Sequence, residues 1–467
     1  MLDLCPGGVV RGGKSRGEFA PLIQRAPVQG RRSSRQVEAQ NTKGETDVKN
    51  ELEFFIGIDL AAEKHQACLI DIRGKVLGEL TFEHSGSGVH EFIRSIEKRC
   101  GGGPDRVGIA LETPRGPIVE YVLERGYEVF SINPKQLDRF RDRHTVAGAK
   151  DDRRDAFVLA DSLRTDLPLF RHLKQESATV IRLRELSRLE DDLIQDHNRL
   201  INQLREQLHR YFPQVIQLSS AAEDPWLWDL LEIAPLPAKA CKLARGRIER
   251  VLKNHRIRRL SAEQVTAALR APALEVAPGS AEAASEHVLM LLPRLRLVRK
   301  QRLDVASRME RLLCEMTEAQ VDATKPQEQP TDVAILRSLP GVGRVVAGTL
   351  LAEASQAIAD RDYEALRSYA GVAPVTRQSG SKRIVVMRRG CNNRLRNALY
   401  HWSRVAAICD ERSRTHYANL RSHGHSHGRA LRTLADRWLT VLISMLKKGK
   451  SFDSARWNTC GHSVGVV

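Results

Sequence analysis

Short apolar runs alternate with amphipathic stretches in the first third of the chain. Three runs between residues 54 and 84 have the length of strands, and residues 88 to 100 carry apolar positions at helical spacing. The pattern then predicts strands over residues 106 to 113 and 127 to 133, a helix between them, and a closing helix that contains residues 149 to 160. The predicted order is therefore three strands, helix, strand, helix, strand and helix.

Two long amphipathic segments follow. Residues 176 to 212 carry apolar residues at helical intervals with charges between them, and a second such segment spans about residues 285 to 320. They predict long coiled-coil-like helices that pair as an antiparallel hairpin, with Trp226, Trp228 and a basic stretch inserted at its far end. The pattern suits an ordinary helical linker domain and a dimerisation arm equally.

The last third of the chain begins after a polar, proline-containing break at residues 324 to 332. Residues 335 to 354 have an apolar helix, a Pro-Gly-Val-Gly turn and a second apolar helix, the pattern of a helix-hairpin-helix. We therefore expect a disordered basic tail, an α/β domain, a helical coiled-coil region, a helical C-terminal domain and a loose tail, over residues 1–50, 51–170, 171–325, 333–450 and 451–467.

Composition narrows the class of partner. The 467 residues include 74 Lys and Arg against 57 Asp and Glu, which gives a net charge of +17 and a pI near 9.7. This balance suits a polyanion such as nucleic acid, although a merely basic surface would give the same numbers. No apolar run reaches the roughly 20 residues that span a bilayer, and no secretion signal is evident, so we expect a cytosolic protein without a membrane partner. The eight cysteines form no C-x-x-C pair, which favours reduced thiols.

Acidic residues fall at the ends of two predicted strands. Asp59 ends the first strand and Glu112 ends the fourth. The element order matches a ribonuclease-H type of fold, in which these strands are neighbours and the closing helix packs across them. In "AKDDRRDAFVLA", residues three apart differ by about 60° around a helix axis, so Asp152 and Asp155 share a face while Asp151 points elsewhere. The fold would then gather four carboxylates.

Four clustered carboxylates would repel one another without cations, and their hard oxygens suit Mg²⁺ or Mn²⁺. Two such ions about 4 Å apart can bind a scissile phosphate, activate the attacking oxygen and stabilise the leaving one. Lys150, Arg153 and Arg154 would contact phosphates. Taken alone, the acids of this stretch also suit a solvated helix start, where negative charge favours the helix dipole. The strand-end acids favour the catalytic interpretation.

The C-terminal domain offers further candidate contacts with phosphate. Gly341 and Gly343 would leave backbone N–H groups open to a phosphate, or would form a plain turn between two helices. "RQSGSKR" places Ser379 and Ser381 in a glycine-containing loop among basic residues, which suits a phosphodiester as the electrophile or a flexible loop without chemistry. The histidines between residues 416 and 427 lack a carboxylate or cysteine framework and favour an exposed loop over a zinc site. The expected nucleic-acid-binding side chains are Arg377, Lys382, Arg383, Arg388, Arg389, Arg394 and Arg396.

Several motifs together resemble a known family. "FFIGIDLAAEKH", "GIALETPRG", "AKDDRRDAFVLA", "LPGVG", "AGVAPVTRQSGSKR" and "RRGCNNRLRNALYHW" are similar to motifs of the DEDD transposases of insertion sequences, the IS110 family related to Piv-type DNA invertases. The resemblance implies a RuvC-like ribonuclease-H fold domain and a C-terminal transposase domain whose Ser379 attacks DNA to form a covalent phosphoserine link. It also implies that the metal ligands are Asp59, Glu112, Asp152 and Asp155.

The resemblance implies partners as well. Members of this family act on element ends and target DNA in the prokaryotic cytosol and nucleoid, as dimers or tetramers guided by a structured bridge RNA. Two positions depart from the family's pattern. Asp151 stands where Thr is usual and is expected to be dispensable, and Ser381 is a second serine close to the proposed nucleophile.

Two other functions remain compatible with the sequence. A metal-dependent, structure-specific endonuclease of the Holliday-junction type would use the same acids with water as the nucleophile. An inactive nucleic-acid-binding protein would keep only the basic surfaces, and the intact acids argue against it. A covalent protein–DNA adduct would distinguish the transposase from the endonuclease.

Overall fold

The structure, a computed structural model, describes residues 52–144, 151–219, 221–319, 330–380, 382–454 and Trp457. The chain divides into two compact units, with the boundary between Gln175 and Glu176. The basic tail of residues 1–50, Lys150, Ser381 and most of the expected loose tail lie outside the described residues.

A six-stranded sheet with helices on both faces forms the first unit. Its strands are β1 (Phe54–Asp59), β2 (Lys64–Asp71), β3 (Val76–Glu83), β4 (Val107–Leu111), β5 (Glu128–Ser131) and β6 (Arg171–Leu173). Its helices are α1 (Gly86–Cys100), α2 (Pro117–Glu124), α3 (Pro134–His144) and α4 (Asp152–Asp166), with 3₁₀ turns at Pro104–Arg106 and Leu167–Leu169.

The strand order of this sheet is β3-β2-β1-β4-β5-β6. β1 runs antiparallel to β2 on one side and parallel to β4 on the other, so the first and fourth strands are neighbours, as the element order predicts. Ile56 and Ile58 of β1 belong to the core shared with α1 and α2, and Phe55 belongs to the core shared with α3 and α4. This mixed α/β arrangement is compatible with a RuvC-like ribonuclease-H fold.

Two elements differ from the predicted order. The pattern predicted one closing helix after β5, and the structure has two, α3 and α4. Pro134 begins α3, and the side chain of Asn133 accepts a hydrogen bond from the Lys135 N–H at 3.0 Å, so both are ordinary start signals for a helix. β6 is an edge strand of three residues, which is too short for its alternation to be recognised.

Close packing between helix α4 and strand β1 depends on Gly57. A Cβ at this position would clash with the carbonyl oxygen of Ala156 and the backbone nitrogen of Ala160. Because backbone atoms cannot move aside as a flexible side chain can, only glycine lets the helix approach the strand this closely. The contact fixes α4 across the centre of the sheet.

The second unit is mainly helical. Its helices are α5 (Ala178–Tyr211), α6 (Pro225–Ile233), α7 (Pro237–Ala240), α8 (Arg245–Asn254), α9 (Ala262–Arg270), α10 (Ser280–Ala319), α11 (Asp332–Ser338), α12 (Arg344–Glu353), α13 (Ser355–Ala359), α14 (Tyr363–Tyr369), α15 (Asn393–Cys409), α16 (Glu411–Ser422) and α17 (His427–Lys448). A two-stranded hairpin of β7 (Val375–Ser379) and β8 (Lys382–Val386) lies between α14 and α15.

Two hydrophobic cores hold this unit together. The long helices α5 and α10 pack against each other, and the segment between them forms one core around the buried Trp226 and Trp228. The other core joins the opposite part of this helix pair to helices α11 to α15 and α17, and it contains the buried Trp402 and Trp438. Within the described ranges, no helix is long and apolar enough to cross a membrane.

Candidate active site

Two acidic residues lie at the same edge of the sheet. Asp59 is the last residue of β1, and Glu112 directly follows β4. β1 and β4 are parallel, and their register ends with Ile58 opposite Leu111, so the next residue on each strand is an acid. Both acids are partly buried. The sequence prediction that these two positions are neighbours therefore agrees with the register.

Helix α4 begins at this same edge. The contacts of Gly57 with Ala156 and of Gly108 with Leu163 show that α4 runs opposite to β1 and β4. Its N-terminus therefore lies at the end of the strands that carries Asp59 and Glu112. The tertiary structure brings Asp155, in the first turn of α4, to the acidic edge.

The three aspartates of this helix start have different surroundings. Asp155 is only 2% exposed, whereas Asp152 and Asp151 are exposed. The shared face predicted for Asp152 and Asp155 thus runs from solvent into the core within one turn. The side chain of Asp151 is the N-cap of α4 and accepts a hydrogen bond from the Arg153 N–H at 3.3 Å. This capping contact gives Asp151 a structural role that its family position did not suggest.

An arginine on α3 joins two of the predicted acids. Arg141 donates from Nε to Asp155 Oδ1 at 2.7 Å and from Nη2 to Asp155 Oδ2 at 2.9 Å, a bidentate pair. The same Nη2 lies 3.2 Å from Oε1 of Glu112, and Nη1 lies 2.5 Å from Oδ1 of Asp138. One guanidinium therefore contacts three carboxylates.

Electrostatics keep this arginine charged. Burial on its own lowers the pKa of Arg141, but the hydrogen bond and charge of Asp155, with the charges of Glu112 and Asp138, raise it above its usual value. Sequence reasoning missed this residue, because Arg141 lies in a helix rich in charges and is distinguished only by its contacts in the fold.

The acid set fits a hard divalent cation by its donor chemistry, since carboxylate oxygens at one sheet edge are the ligands that Mg²⁺ and Mn²⁺ prefer. In the part of the chain that the structure describes, no group of three or more His, Cys, Asp or Glu side chains is arranged to hold a metal ion. Both oxygens of Asp155 accept hydrogen bonds from Arg141 instead.

A pair of histidines supports the loop that follows Asp59. His65, 1% exposed on β2, accepts a hydrogen bond at Nδ1 from the Ala61 N–H at 3.1 Å. Its Nε2 lies 2.9 Å from Nδ1 of His84, so Nε2 carries the proton and donates it. Burial, followed by the charge of His84, lowers the pKa of His65. The neutral form thus holds the loop beside the acidic edge, a role that sequence reasoning missed.

The proposed nucleophile lies in the second unit on a strand rather than in the loop that the sequence suggested. Ser379 is the last residue of β7 and pairs with Lys382, the first residue of β8, and it is followed by Gly380 at φ +55°. Ser379 is exposed, and so are its basic neighbours on the hairpin. Because a flexible-looking "SGS" turn can join two strands tightly, composition alone does not separate a loop from a hairpin.

Strand pairing divides these basic residues between two faces. Side chains two apart on a strand, and side chains of directly paired residues, share a face of an antiparallel ribbon. Lys382 pairs with Ser379, and Arg377 is two residues before Ser379 on the same strand, so both basic side chains lie on the serine face. Arg383 pairs with Gln378 and lies on the opposite face.

The Pro-Gly-Val-Gly turn joins helices α11 and α12, as predicted. Gly341 has φ +82°, and a Cβ there would lie 3.0 Å from the backbone nitrogen of Ala406 on α15. The indole Nε1 of Trp402 donates to the Pro340 carbonyl at 2.9 Å. Gly341 is therefore packed against α15, and Gly343, the exposed N-cap of α12, is the glycine of this turn that faces solvent.

The four remaining arginines of the predicted set, Arg388, Arg389, Arg394 and Arg396, differ in their surroundings: Arg389 is exposed and the other three are partly buried. Arg394 lies 2.7 Å from Asp191 and 3.3 Å from Glu353, and it donates to Ser187 at 3.0 Å. Arg396 donates to the Arg389 carbonyl and contacts the Cys391 sulfur. Arg394 thus ties α15 to α5 and α12. The exposed cationic side chains of the predicted set are Arg377, Lys382, Arg383 and Arg389.

The predicted histidine loop has its own local contacts. The ring of His427 lies between the hydroxyls of Tyr400 at 3.2 Å and Tyr417 at 2.7 Å, and His423 Nδ1 contacts the Asn419 carbonyl. In the first unit, the exposed Arg153 lies 3.9 Å from Glu79. The histidine contacts stay within helices α15 to α17, whereas the contact of Arg153 joins the first turn of α4 to strand β3.

Comparison with protein families finds two matches. Residues 56–213 match the DEDD transposase model of IS110, and residues 333–418 match the transposase model of the IS116/IS110/IS902 family. The first match includes Asp59, Glu112, Asp152 and Asp155, and the second includes Ser379.

Comparison with individual proteins finds relatives among candidate transposases and insertion-element proteins. The candidate transposase y4uE of Sinorhizobium fredii is 43% identical over 262 residues, 56% of this chain and 72% of that protein. The mini-circle candidate transposase for IS117 of Streptomyces coelicolor is 30% identical over 419 residues, 87% of this chain and 97% of that protein. A 44.8 kDa uncharacterised protein of insertion element IS116 from Streptomyces clavuligerus is 26% identical, over 86% of this chain and 96% of that protein.

Proposed function

The chain belongs to the IS110 family of insertion-sequence transposases, enzymes that cut DNA and transfer it, and we propose that it does so through a covalent phosphoserine intermediate. In this proposal Asp59, Glu112, Asp152 and Asp155 hold divalent metal ions, and Ser379 is the nucleophile. The observation that carries the proposal is the convergence of β1, β4 and the start of α4 at one acidic sheet edge.

The acids have distinct parts in this scheme. Asp59 and Glu112 extend from adjacent parallel strands and supply oxygens from a rigid sheet. Asp155 is fixed by the packing of α4 on Gly57, and Asp152 supplies an oxygen from the exposed side of the same turn. When bound, Mg²⁺ or Mn²⁺ would polarise the scissile phosphate and stabilise the leaving oxygen.

Ser379 would perform the covalent step. Its hydroxyl loses a proton as Oγ bonds to the phosphorus, and the bond between phosphorus and a sugar oxygen breaks, so the leaving sugar oxygen takes up a proton. Attack by the hydroxyl of another DNA end on the phosphoserine reverses these changes and joins the new strand. Arg377 and Lys382 lie on the serine face and would balance the negative charge that develops on the phosphate.

We further propose that a structured guide RNA selects the DNA and that the protein acts as a dimer or tetramer in the prokaryotic cytosol. The support is the family relationship and the net charge of +17, which suits a partner with many phosphates. RNA that copurifies with the full-length protein, identified by sequencing, would test this part of the proposal separately.

Trapping of a protein–DNA adduct tests the covalent mechanism. Full-length protein with its copurifying RNA is incubated with labelled DNA of the element ends and Mg²⁺, then denatured and separated by size. We expect an adduct with wild-type protein and with Ser381→Ala, and none with Ser379→Ala. Glu112→Gln should also abolish it, whereas Glu91→Gln, a change at an exposed residue of α1, should not.

The outcomes separate the candidate functions. DNA cleavage without any adduct would favour the structure-specific endonuclease, with water as nucleophile. An adduct that persists in Ser379→Ala but disappears in Ser381→Ala would move the nucleophile by two residues. Full cleavage by Glu112→Gln would contradict the role given to the acidic edge.

A further inference from the structure

Asp155 is the most deeply buried of the four predicted acids, and its charge partner, Arg141, also contacts a second predicted metal ligand. The carboxylate side chain is 3% exposed, and both its oxygens accept hydrogen bonds from the guanidinium of Arg141. A buried carboxylate without a cation is strongly unfavourable, because it loses water and gains nothing in return. Arg141 therefore supplies the compensating charge.

The same guanidinium also contacts a second predicted metal ligand. Nη2 of Arg141 donates to Asp155 and, at 3.2 Å, to Glu112, so a single nitrogen lies between an acid of α4 and an acid at the end of β4. A cation shared by these two carboxylates would lie where Arg141 now donates. The remaining nitrogen, Nη1, contacts Asp138 one turn earlier on α3.

We infer that Arg141 is a built-in competitor for the divalent cation: its guanidinium neutralises Glu112 and Asp155 and must release at least one of them before a metal ion is bound. This inference rests on the metal-binding role proposed for the acids. Because Asp138 contacts Nη1, the guanidinium keeps a carboxylate partner when it leaves Glu112. Arg141 is thus a positioning residue that sets how readily the acidic edge accepts metal.

Linkage between the guanidinium and the metal ion gives the size of the expected change in metal affinity. A protein whose acids are partly occupied by an internal cation shows a weaker apparent metal affinity than the acids would have alone. Removal of the Arg141 guanidinium should therefore tighten the binding of the metal ion by about five-fold or more. Five-fold is the lower end of the affinity changes that coupling between two binding events usually produces. Without metal, the same change leaves Asp155 buried without its partner, so thermal stability should fall.

The experiment measures Mn²⁺ binding directly, without DNA. Full-length wild type, Arg141→Ala and Arg141→Lys are stripped of metal, and free Mn²⁺ is followed by electron paramagnetic resonance during titration, with thermal unfolding recorded in chelator and in Mn²⁺. Arg143→Ala is the matched control, because Arg143 is on the same helix and has an ion pair of its own, with Asp166 at 2.8 Å. Glu112→Gln removes one proposed metal ligand, so the Mn²⁺ binding that this variant loses belongs to the acidic edge.

We expect Arg141→Ala to lower the melting temperature in chelator, to gain more stability from Mn²⁺ than wild type, and to bind it at least about five-fold more tightly. Arg141→Lys keeps the charge but cannot form the bidentate pair, so it should shift in the same direction and serve if the alanine variant does not fold. Arg143→Ala should bind Mn²⁺ as wild type does. Equal or weaker binding by both Arg141 variants would overturn the inference alone. If neither wild type nor any variant binds Mn²⁺, the proposed metal site is wrong, and this inference is wrong with it.

Discussion

Asp155 is 2% exposed on a helix that packs against the sheet by backbone contact, whereas Ser379 is exposed at the turn of a two-stranded ribbon. In the proposed mechanism the acids share a cation and need a fixed arrangement, which a helix packed on a sheet supplies. The serine needs access to a polymer, and an exposed hairpin supplies it. Burial and exposure are thus divided between the two regions according to the chemistry proposed for each.

The largest loss of stability is expected among the helices of the second unit, not in the hairpin. Glu353 on α12 is 2% exposed and contacts Arg188, Asn392 and Arg394. Glu353→Ala would take a buried carboxylate from the partly buried Arg188 and Arg394, which keep Glu185 and Asp191 as partners. We expect a cost of about 3 kcal/mol, because Asn392 and both arginines lose an acceptor. All five tryptophans belong to the second unit, so urea unfolding followed by tryptophan fluorescence reports this loss. Glu364→Ala, at an exposed position, is the control and should change little.

Gly57→Ala tests the rigid support of the acidic edge. The added methyl group meets the backbone of α4, so we expect the first unit to lose about 1–3 kcal/mol. Hydrogen exchange of β1 and β4, read by mass spectrometry, measures this loss. Gly86→Ala, where a Cβ meets nothing within 4 Å, is the control. Equal exchange in both variants would show that α4 does not depend on this contact.

Acid should loosen the loop beside Asp59. The pKa of His65 is lowered in the folded protein, so the unfolded chain binds the proton more readily. Stability from this group is full above its ordinary pKa of 6.5 and is lost as pH falls towards the lowered value, at up to about 1.4 kcal/mol per pH unit. Between pH 7 and 5, hydrogen exchange of β2 should therefore slow less steeply than base-catalysed exchange alone predicts. His65→Asn should flatten this dependence, and His90→Asn, an exposed control, should leave it unchanged.

The cap of α4 should have a smaller effect. Asp151→Ala removes the side-chain acceptor for the Arg153 N–H and should cost about 1 kcal/mol, seen as faster exchange in the first turn of α4. Asp151→Thr keeps a capping oxygen and should restore most of that protection. If the alanine variant is as protected as wild type, Asp151 is dispensable, as the sequence suggested.

The hairpin itself should tolerate change with the smallest effect on stability. Lys382→Ala and Arg383→Ala alter exposed side chains, and each should change stability by no more than about 0.5 kcal/mol. Their effects on the protein–DNA adduct should differ, because Lys382 shares the serine face and Arg383 does not. A greater loss of adduct with Arg383→Ala would contradict this division of faces.

Much of the first unit was predictable because its signals are local. A short apolar run located β1 and an alternating one located β4, with the acids that end them, without knowledge of the fold. Residue spacing placed Asp152 and Asp155 on one face, but it could not show that one is exposed and the other buried. Burial depends on what packs against the helix, and that partner, Gly57, is about a hundred residues earlier in the chain.

In the second unit, too, the local pattern predicted elements and turns but not the contacts between residues distant in the chain. The long helices followed from their periodicity, and the turn at Gly341 followed from its glycines. The hairpin at Ser379 was missed, because the prediction considered the polar "RQSGSKR" and not the β-branched residues that flank it and pair as strands. Likewise, Arg394 resembled a phosphate ligand in sequence, yet it lies within reach of Asp191 and Glu353.

The sequence by itself determined which residues could perform the chemistry and which elements carry them, because residue type and periodicity are local properties. Only the tertiary structure decided which charges meet. Arg141 contacts Asp155 and Glu112 because α3, α4 and the end of β4 converge at one sheet edge. Such contacts between residues distant in the chain arise from packing, and packing depends on the whole unit at once.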